Sequence, residues 1–186
     1  MYTLETVAED FKKNYLPQAC SECDAFCCRL PQEELTDKEV LLLANIRHID
    51  EVDSVRRADG ASLFVKEERG WAMDLRESSS TGRIRKLDYP DVCPRLDGTS
   101  CSVYDHPDRP FGCSEFPLYF GKLEDRGRTV DAIVLHHQCK GISQDIAQEI
   151  LSRALFEGYR VFLDPGLRHE VNFENIDDYV ARFFKK

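Results

Sequence analysis

The stretch CSECDAFCC, Cys20 to Cys28, holds four of the chain's eight cysteines, the last two adjacent. The others are Cys93, Cys101, Cys113 and Cys139 in a chain of 186 residues. What these thiols do decides how the polypeptide between them is read.

A chain of this length buries about 70% of the surface its unfolded form exposes, so it needs no cross-links merely to fold. The N-terminal run MYTLETVAEDFKKNYL is amphipathic and contains acids, unlike an export signal. The longest apolar run, Val40 to Ala44, is far short of the ~20 residues that cross a bilayer. The expectation is a cytoplasmic protein with no membrane partner. In that reducing compartment, clustered cysteines point to metal or redox chemistry rather than to disulfides. The formal net charge of −9 repels phosphate backbones, so no nucleic-acid partner is expected. The short basic cluster GRIRK, Gly82 to Lys86, reads as a solvated loop. No protein partner is legible in the sequence.

Cys20-x2-Cys23 is a chelating pair, because a tight turn can aim both sulfurs at one metal. A thioredoxin-like redox pair would instead follow a strand at a helix start, and no βαβ pattern surrounds this one. The Cα atoms of Cys27 and Cys28 lie about 3.8 Å apart, closer than an unstrained disulfide prefers. In an extended backbone their side chains point opposite ways, so the two are expected to do different jobs. Either they serve two metal centres, or one ligates and the other packs. In the second set, Pro94 follows Cys93 and glycines lie near Cys113 and Cys139. Such residues hold loops in shapes where thiolates can converge. The candidate metal ligands are therefore Cys20, Cys23, Cys27, Cys28, Cys93, Cys101, Cys113 and Cys139. Soft thiolates suit zinc and iron alike. Eight allow two tetrathiolate sites, or one four-cysteine cluster such as [4Fe–4S] with cysteines to spare. The competing readings are buried cysteines acting as small hydrophobes, Cys139 above all, and a thiol redox sensor built on Cys27 or Cys28.

Around the cysteines, Thr3 to Tyr15 reads as a first helix ended by Pro17, with Cys20 to Cys28 as loop. Thr36-x-x-Glu39 opens a second helix with a capping box. SLFVKE and GWAMDL flank Glu68-Arg69-Gly70 as a hairpin, ESSSTGR is a polar turn, and residues 93–117 are mostly loop, with CSVY a short strand. FPLYF reads as buried strand and TVDAIVLHH as strand. A helix capped by Ser143 carries the apolar stripe Ile146, Ala147, Ile150, Leu151, Ala154 and Leu155. NIDDYVARFF is a last helix packed on the core.

Other residues are candidates for supporting roles. His136 and His137 alternate along a strand, so at most one faces a site formed by Cys139. His106 is expected to be exposed. Arg109 has two readings, as a cation offsetting the charge of nearby thiolates or as the partner of Asp105 or Asp108. Trp71, Tyr89 and Tyr104 read as core or groove residues. There is no G-x-S-x-G, P-loop or G-x-G-x-x-G, so any reactive centre is expected to be the metal.

Together C-x2-C-x3-C-C, Cys93-Pro94-Arg95-Leu96, Cys101-Ser102-Val103-Tyr104, Arg109-Pro110-Phe111-Gly112-Cys113, Phe116-Pro117 and Cys139 resemble the YkgJ-type cysteine-cluster family, described as zinc- or iron-chelating. The resemblance spans about residues 18–141. It departs at Ser114, where the family usually has arginine, and at the longer insert Asp105 to Asp108. The resemblance implies a metal or iron–sulfur centre. Some relatives resemble flagellin lysine N-methylases thought to carry an iron–sulfur cluster.

The expected fold is α+β, a small single domain over residues 1–186 with helices around a short antiparallel sheet and cysteine-rich loops gathered at a metal site. The cysteine-cluster core covers about 18–141, and C-terminal helices cover 142–186. The expected function is binding of zinc or an iron–sulfur cluster. The alternatives are an iron–sulfur-dependent redox or lysine N-methylase-like enzyme, and a thiol redox sensor.

Overall fold

A computed structural model describes residues 3–29, 34–57, 60–74 and 93–185. The ESSSTGR turn, the GRIRK cluster, Tyr89 and Lys186 lie outside the described residues. The architecture is α+β, and the chain forms two compact units. The first combines residues 1–23 with 115–186, and the second is the intervening segment 24–114.

In the first unit, Thr3 caps α1, Leu4–Asp10, by accepting the N–H of Thr6. The chain does not stop at Pro17 as expected. It passes through one wide π-type turn, Phe11–Tyr15, and continues as α2, Leu16–Glu22, with Pro17 in its first turn. Proline is tolerated there because an N–H in that position has no partner within the helix. The Leu16 N–H bonds back to the Phe11 carbonyl, the long reach of a π-turn. Cys20 is consequently helical, and irregular backbone begins only at Cys23.

The sheet of this unit has the order β5-β6-β7-β8, formed by Leu118–Asp125, Arg128–Leu135, Arg160–Phe162 and Glu170–Val171. Strands β5 and β6 form a hairpin whose tip is Arg126-Gly127, both left-handed (φ 51° and 78°). Two successive positive φ angles give the type I′ turn, which matches the twist of paired strands and favours glycine. Strand β6 pairs with β7 in parallel, across the crossover helix α5, Gln144–Phe156. The sheet is therefore mixed rather than wholly antiparallel.

Ser143 caps α5 as expected, and Ala147, Ile150, Leu151 and Ala154 are buried. They pack with Leu118, Ile133, Leu135 and Val161 of the sheet, with Leu4 and Phe11, and with Ile176 and Val180 of α6, Ile176–Phe183. FPLYF is less buried than expected: Leu118 is fully buried, whereas Phe120 is 38% exposed. The Leu4 N–H donates to Glu157 Oε1 at 2.6 Å, closing the start of the chain onto the end of α5.

The second unit is built on α3, Asp37–Ala44, with the expected capping box. Thr36 Oγ1 accepts the Glu39 N–H, and Glu39 Oε2 accepts the Thr36 N–H. The expected hairpin is present as β1, Phe64–Lys66, antiparallel to β2, Trp71–Met73. Val40, Leu43, Val52, Leu63, Phe64 and Met73 form the core of this unit. Strands β3, Leu96–Asp97, and β4, Ser100–Cys101, make a second small ribbon. The short helix α4, Phe111–Glu115, leads out of the unit.

Among the described residues no helix is long and apolar enough to cross a membrane.

Two outcomes are expected. Ile150→Ala removes a side chain with 1% exposure from the α5 stripe and should cost about 2–5 kcal/mol, read as a lower denaturation midpoint. The second concerns Asp164. Burial alone would raise its pKa, but the Arg168 side chain and the backbone N–H groups of Arg168 and His169 overturn that and hold it below the usual carboxylate range. Its stabilising contribution is present above the unfolded pKa of about 4 and is lost as pH falls through the lower folded value. Asp164→Asn should lower the melting temperature at neutral pH and narrow the difference between neutral and strongly acidic melts.

Candidate metal centre

Five of the eight cysteines belong to the second unit: Cys27, Cys28, Cys93, Cys101 and Cys113. All five are free and half-buried. Asp24 and Ala25 lead into the first two with consecutive left-handed backbone angles (φ 57° and 48°), and Ala25 is buried. The chain then tightens into a 3₁₀ turn, Phe26–Arg29, in which the Cys28 N–H bonds to the Ala25 carbonyl. Successive side chains in such a turn diverge by about 120° rather than the near-opposition of a strand. The backbone is not the extended one in which Cys27 and Cys28 would point opposite ways, and the interaction of the two thiols shifts both pKa values. That interaction, before any other influence, lowers the Cys27 pKa and raises that of Cys28.

Cys93 and Cys101 sit at the open end of the β3–β4 ribbon, where Cys101 pairs with Leu96. The Leu96 N–H donates to the Cys93 carbonyl at 2.9 Å, and the backbone amides of Arg95 and Leu96 act to lower the Cys93 pKa. Burial nevertheless dominates and pushes the Cys93 thiol up. Cys113 lies in α4 with its N–H on the Pro110 carbonyl. Its pKa is pushed up to about 12, first by burial; the charge of Arg109 opposes this, while Cys93, Cys101 and Cys27 add to it. Cys28 is raised in turn by the charges of Cys27, Cys93 and Cys101. Cysteines from separate segments therefore act on Cys28 and Cys113, although 86 sequence positions separate Cys27 from Cys113 (113 − 27).

Helix α3 anchors two of the three cysteine-bearing segments of this unit. At its C-terminal end, Arg95 donates from Nε to the Leu42 carbonyl at 2.9 Å and from Nη2 to Asn45 Oδ1 at 2.8 Å. At its N-terminal end, Glu39 accepts the Phe111 N–H at 3.1 Å, and Lys38 pairs with Asp108. The capping-box glutamate therefore also fixes the start of the helix that carries Cys113. Arg95 and Glu39 were not legible as site residues, since each acts through a contact distant in sequence.

Arg109 is stacked on Tyr104, its guanidinium carbon 4.2 Å from the ring centroid, and donates to the Tyr104 carbonyl at 3.2 Å. It makes no ion pair among the described residues, and its buried Nε has no hydrogen-bond partner. Of its two expected carboxylate partners, Asp108 pairs instead with Lys38. His106 is exposed, as expected, and accepts the Asp108 N–H.

Cys20, Cys23 and Cys139 belong to the first unit. Cys20 and Cys139 pack against its core. Gly141 lies so close to α2 that an added Cβ would meet the Ala19 Cβ at 2.7 Å, so only glycine brings the Cys139 loop down beside Cys20. The Cys23 thiol donates to the Cys20 carbonyl at 3.5 Å. His136 and His137 follow the end of β6 and join an aromatic stack. His136 rests on Phe116, while His137 contacts Phe183 and bonds through Nδ1 to the Leu163 carbonyl. His169, which the sequence did not single out, completes the stack against Tyr179 and Phe183.

Among the described residues, no three Cys, His, Asp or Glu side chains are placed to hold a metal ion as they stand. The donor type of the second unit, five thiols, is nevertheless one that suits a soft metal. No protein-family profile, no curated protein and no solved structure matches the chain.

The order of thiol reactivity follows from these environments. With reduced, metal-free protein at mildly alkaline pH, iodoacetamide should modify Cys27 before Cys28 and Cys113, as read by peptide mass spectrometry. Labelling of Cys113 ahead of Cys27 would contradict the placement of the two sulfurs.

Proposed function

We propose that the chain is a metal-binding protein whose centre is formed by Cys27, Cys28, Cys93, Cys101 and Cys113, holding zinc or an iron–sulfur cluster. Cys20, Cys23 and Cys139 are further candidate donors in the first unit. What supports the reading is the electrostatic influence of Cys27, Cys93 and Cys101 on Cys28 and of Cys27, Cys93 and Cys101 on Cys113, together with the ties that hold the segments of Cys93 and Cys113 to α3. Buried cysteines serving only as small hydrophobes need neither amide donors nor a neighbouring guanidinium. When bound, the metal would replace thiol protons and stabilise the folded state by linkage. The protein's own part is to hold the ribbon that carries Cys93 and Cys101 and the helix that carries Cys113 on α3. The resemblance to the YkgJ-type pattern supports the same reading through the residues that carry it.

The deciding experiment is anaerobic purification followed by measurement of zinc, iron and acid-labile sulfide per chain. Zinc without sulfide identifies a zinc protein, and iron with sulfide identifies a cluster. Absence of both metals from freshly isolated protein, together with failure to take up either, rejects the reading. Chelation provides a second check. Amide hydrogen exchange should rise most at residues 26–29 and 93–104 and least in α5, where the apolar stripe carries the stability. Uniform loosening across the chain would count against a localised centre.

A further inference from the structure

We propose that two copies of the chain pair through the outer edge of β5, forming a two-fold dimer whose register is centred on Leu123. The sheet of the first unit has the order β5-β6-β7-β8, so β5 and β8 are its edges. Strand β8 is two residues long, and a short edge is an ordinary protection against pairing with another chain. Strand β5 is eight residues long, with no proline inside it. Its pairing with β6 runs without a bulge from Leu118↔Leu135 to Asp125↔Arg128. The two-residue tip makes Asp125 and Arg128 a hydrogen-bonded pair, and such pairs alternate along an antiparallel ladder. Gly121, Leu123 and Asp125 therefore bond to β6, while the N–H and carbonyl groups of Phe120, Lys122 and Glu124 point away from it. Among the described residues no backbone hydrogen bond outside the β5–β6 ladder reaches those outward groups. Phe120, Gly121, Lys122 and Glu124 are all exposed, and the space beside the Gly121 Cα is open.

A lysine on an edge strand ordinarily discourages pairing, and here it decides which pairing is allowed. A two-fold axis at Lys122 sets lysine against lysine, and one at Glu124 sets glutamate against glutamate. Like charges directly opposite destabilise a sheet. An axis at Phe120 or Gly121 sets Lys122 against an apolar residue, Leu118 or Phe120. An axis at Leu123 sets each Lys122 against Glu124 of the second copy, twice over by symmetry. The outward N–H and carbonyl groups of those residues then bond to each other across the axis. The half-buried Leu123 meets its own copy at a closely spaced, non-hydrogen-bonded position. On the Lys122 face, each strand already holds Lys122 against Asp131 at 3.8 Å, and Thr129 donates to Glu124 at 2.6 Å. The dimer joins these into one polar row over four strands: Asp131, Lys122, Glu124 and Thr129. This complementarity of the strand with itself favours a second copy over an unrelated extended segment. One strand edge is a small interface, so the association is weak and depends on concentration.

The test is analytical ultracentrifugation of the full chain as isolated, in reductant so that no intermolecular disulfide forms. In a dilution series starting at about millimolar, the wild type should move between the 21.5 kDa chain and twice that mass. Lys122→Glu and Glu124→Lys each set like charges opposite one another at two symmetry-related places. Each should weaken self-association by about tenfold or more. An equimolar mixture of the two variants should associate at least as well as the wild type, because in the mixed dimer every glutamate faces a lysine. A wild type that stays monomeric throughout overturns the proposal and leaves the edge to a segment of some other protein. Self-association that neither substitution changes overturns it too, since the contact then lies elsewhere. So does a mixture no stronger than its components, since the register is then a different one. Circular dichroism checks the fold of each variant. If Lys122→Glu, which also sets an acid against Asp131, does not fold, Glu124→Lys decides alone: weakening supports the proposal, and unchanged association overturns it.

Discussion

Sulfur buried beside sulfur is the constraint on which the second unit depends. Cys28, Cys93 and Cys113 ionise against desolvation, and a neighbouring thiolate makes that harder. Cys28 and Cys113 show both effects together, burial and the charge of neighbouring cysteines. A protein that keeps such a set close must either leave it protonated or supply positive charge. The surroundings supply some: backbone amides act on Cys93, and the charge of Arg109 on Cys27 and Cys113. These features are of little use to a core that needs only volume, and apolar residues would fill the space at less cost.

Helix α3 turns that constraint into a structure. Its two ends hold the ribbon that presents Cys93 and Cys101 and the turn that presents Cys113. The two carboxylate oxygens of Glu39 divide between local and distant bonds. Oε2 completes the capping box, and Oε1 receives the Phe111 N–H. A local device for starting a helix is thereby also a long-range tie. Its loss would be felt at a cysteine 74 positions away (113 − 39).

Features set by neighbouring residues were readable from the sequence. The capping boundaries at Thr36 and Ser143, the β1–β2 hairpin and the α5 stripe each depend on contacts a few positions apart. The role of Pro17 was not legible because proline has two meanings, a stop inside a helix and a good first-turn residue. Only the wide turn before it selects the second. The parallel β6–β7 junction was hidden because β7 is three residues long and gains its identity from the strand beside it. At the site, all five thiols and Arg109 were nameable by type. That Cys27 and Cys28 lie in a 3₁₀ turn was not, since two left-handed residues at Asp24 and Ala25 lead into it and neither is a glycine. Tyr104 as the platform under Arg109, and Arg95 as a cap on α3, depend on tertiary packing that no local pattern encodes.

The interruption of the first unit by the second sets an order of events on the ribosome. Residues 24–114 are contiguous, so their unit can close as soon as its own last residues emerge. The other unit must wait, because Leu4 bonds to Glu157, 153 positions later. At elongation rates of roughly 5–20 residues per second, that delay is on the order of ten seconds or more. Throughout it the apolar side chains of α1 have no partner surface to bury against. The cysteine-bearing segment is thus the part of the chain that nascent synthesis completes first, with five thiols in place before the sheet of its companion exists.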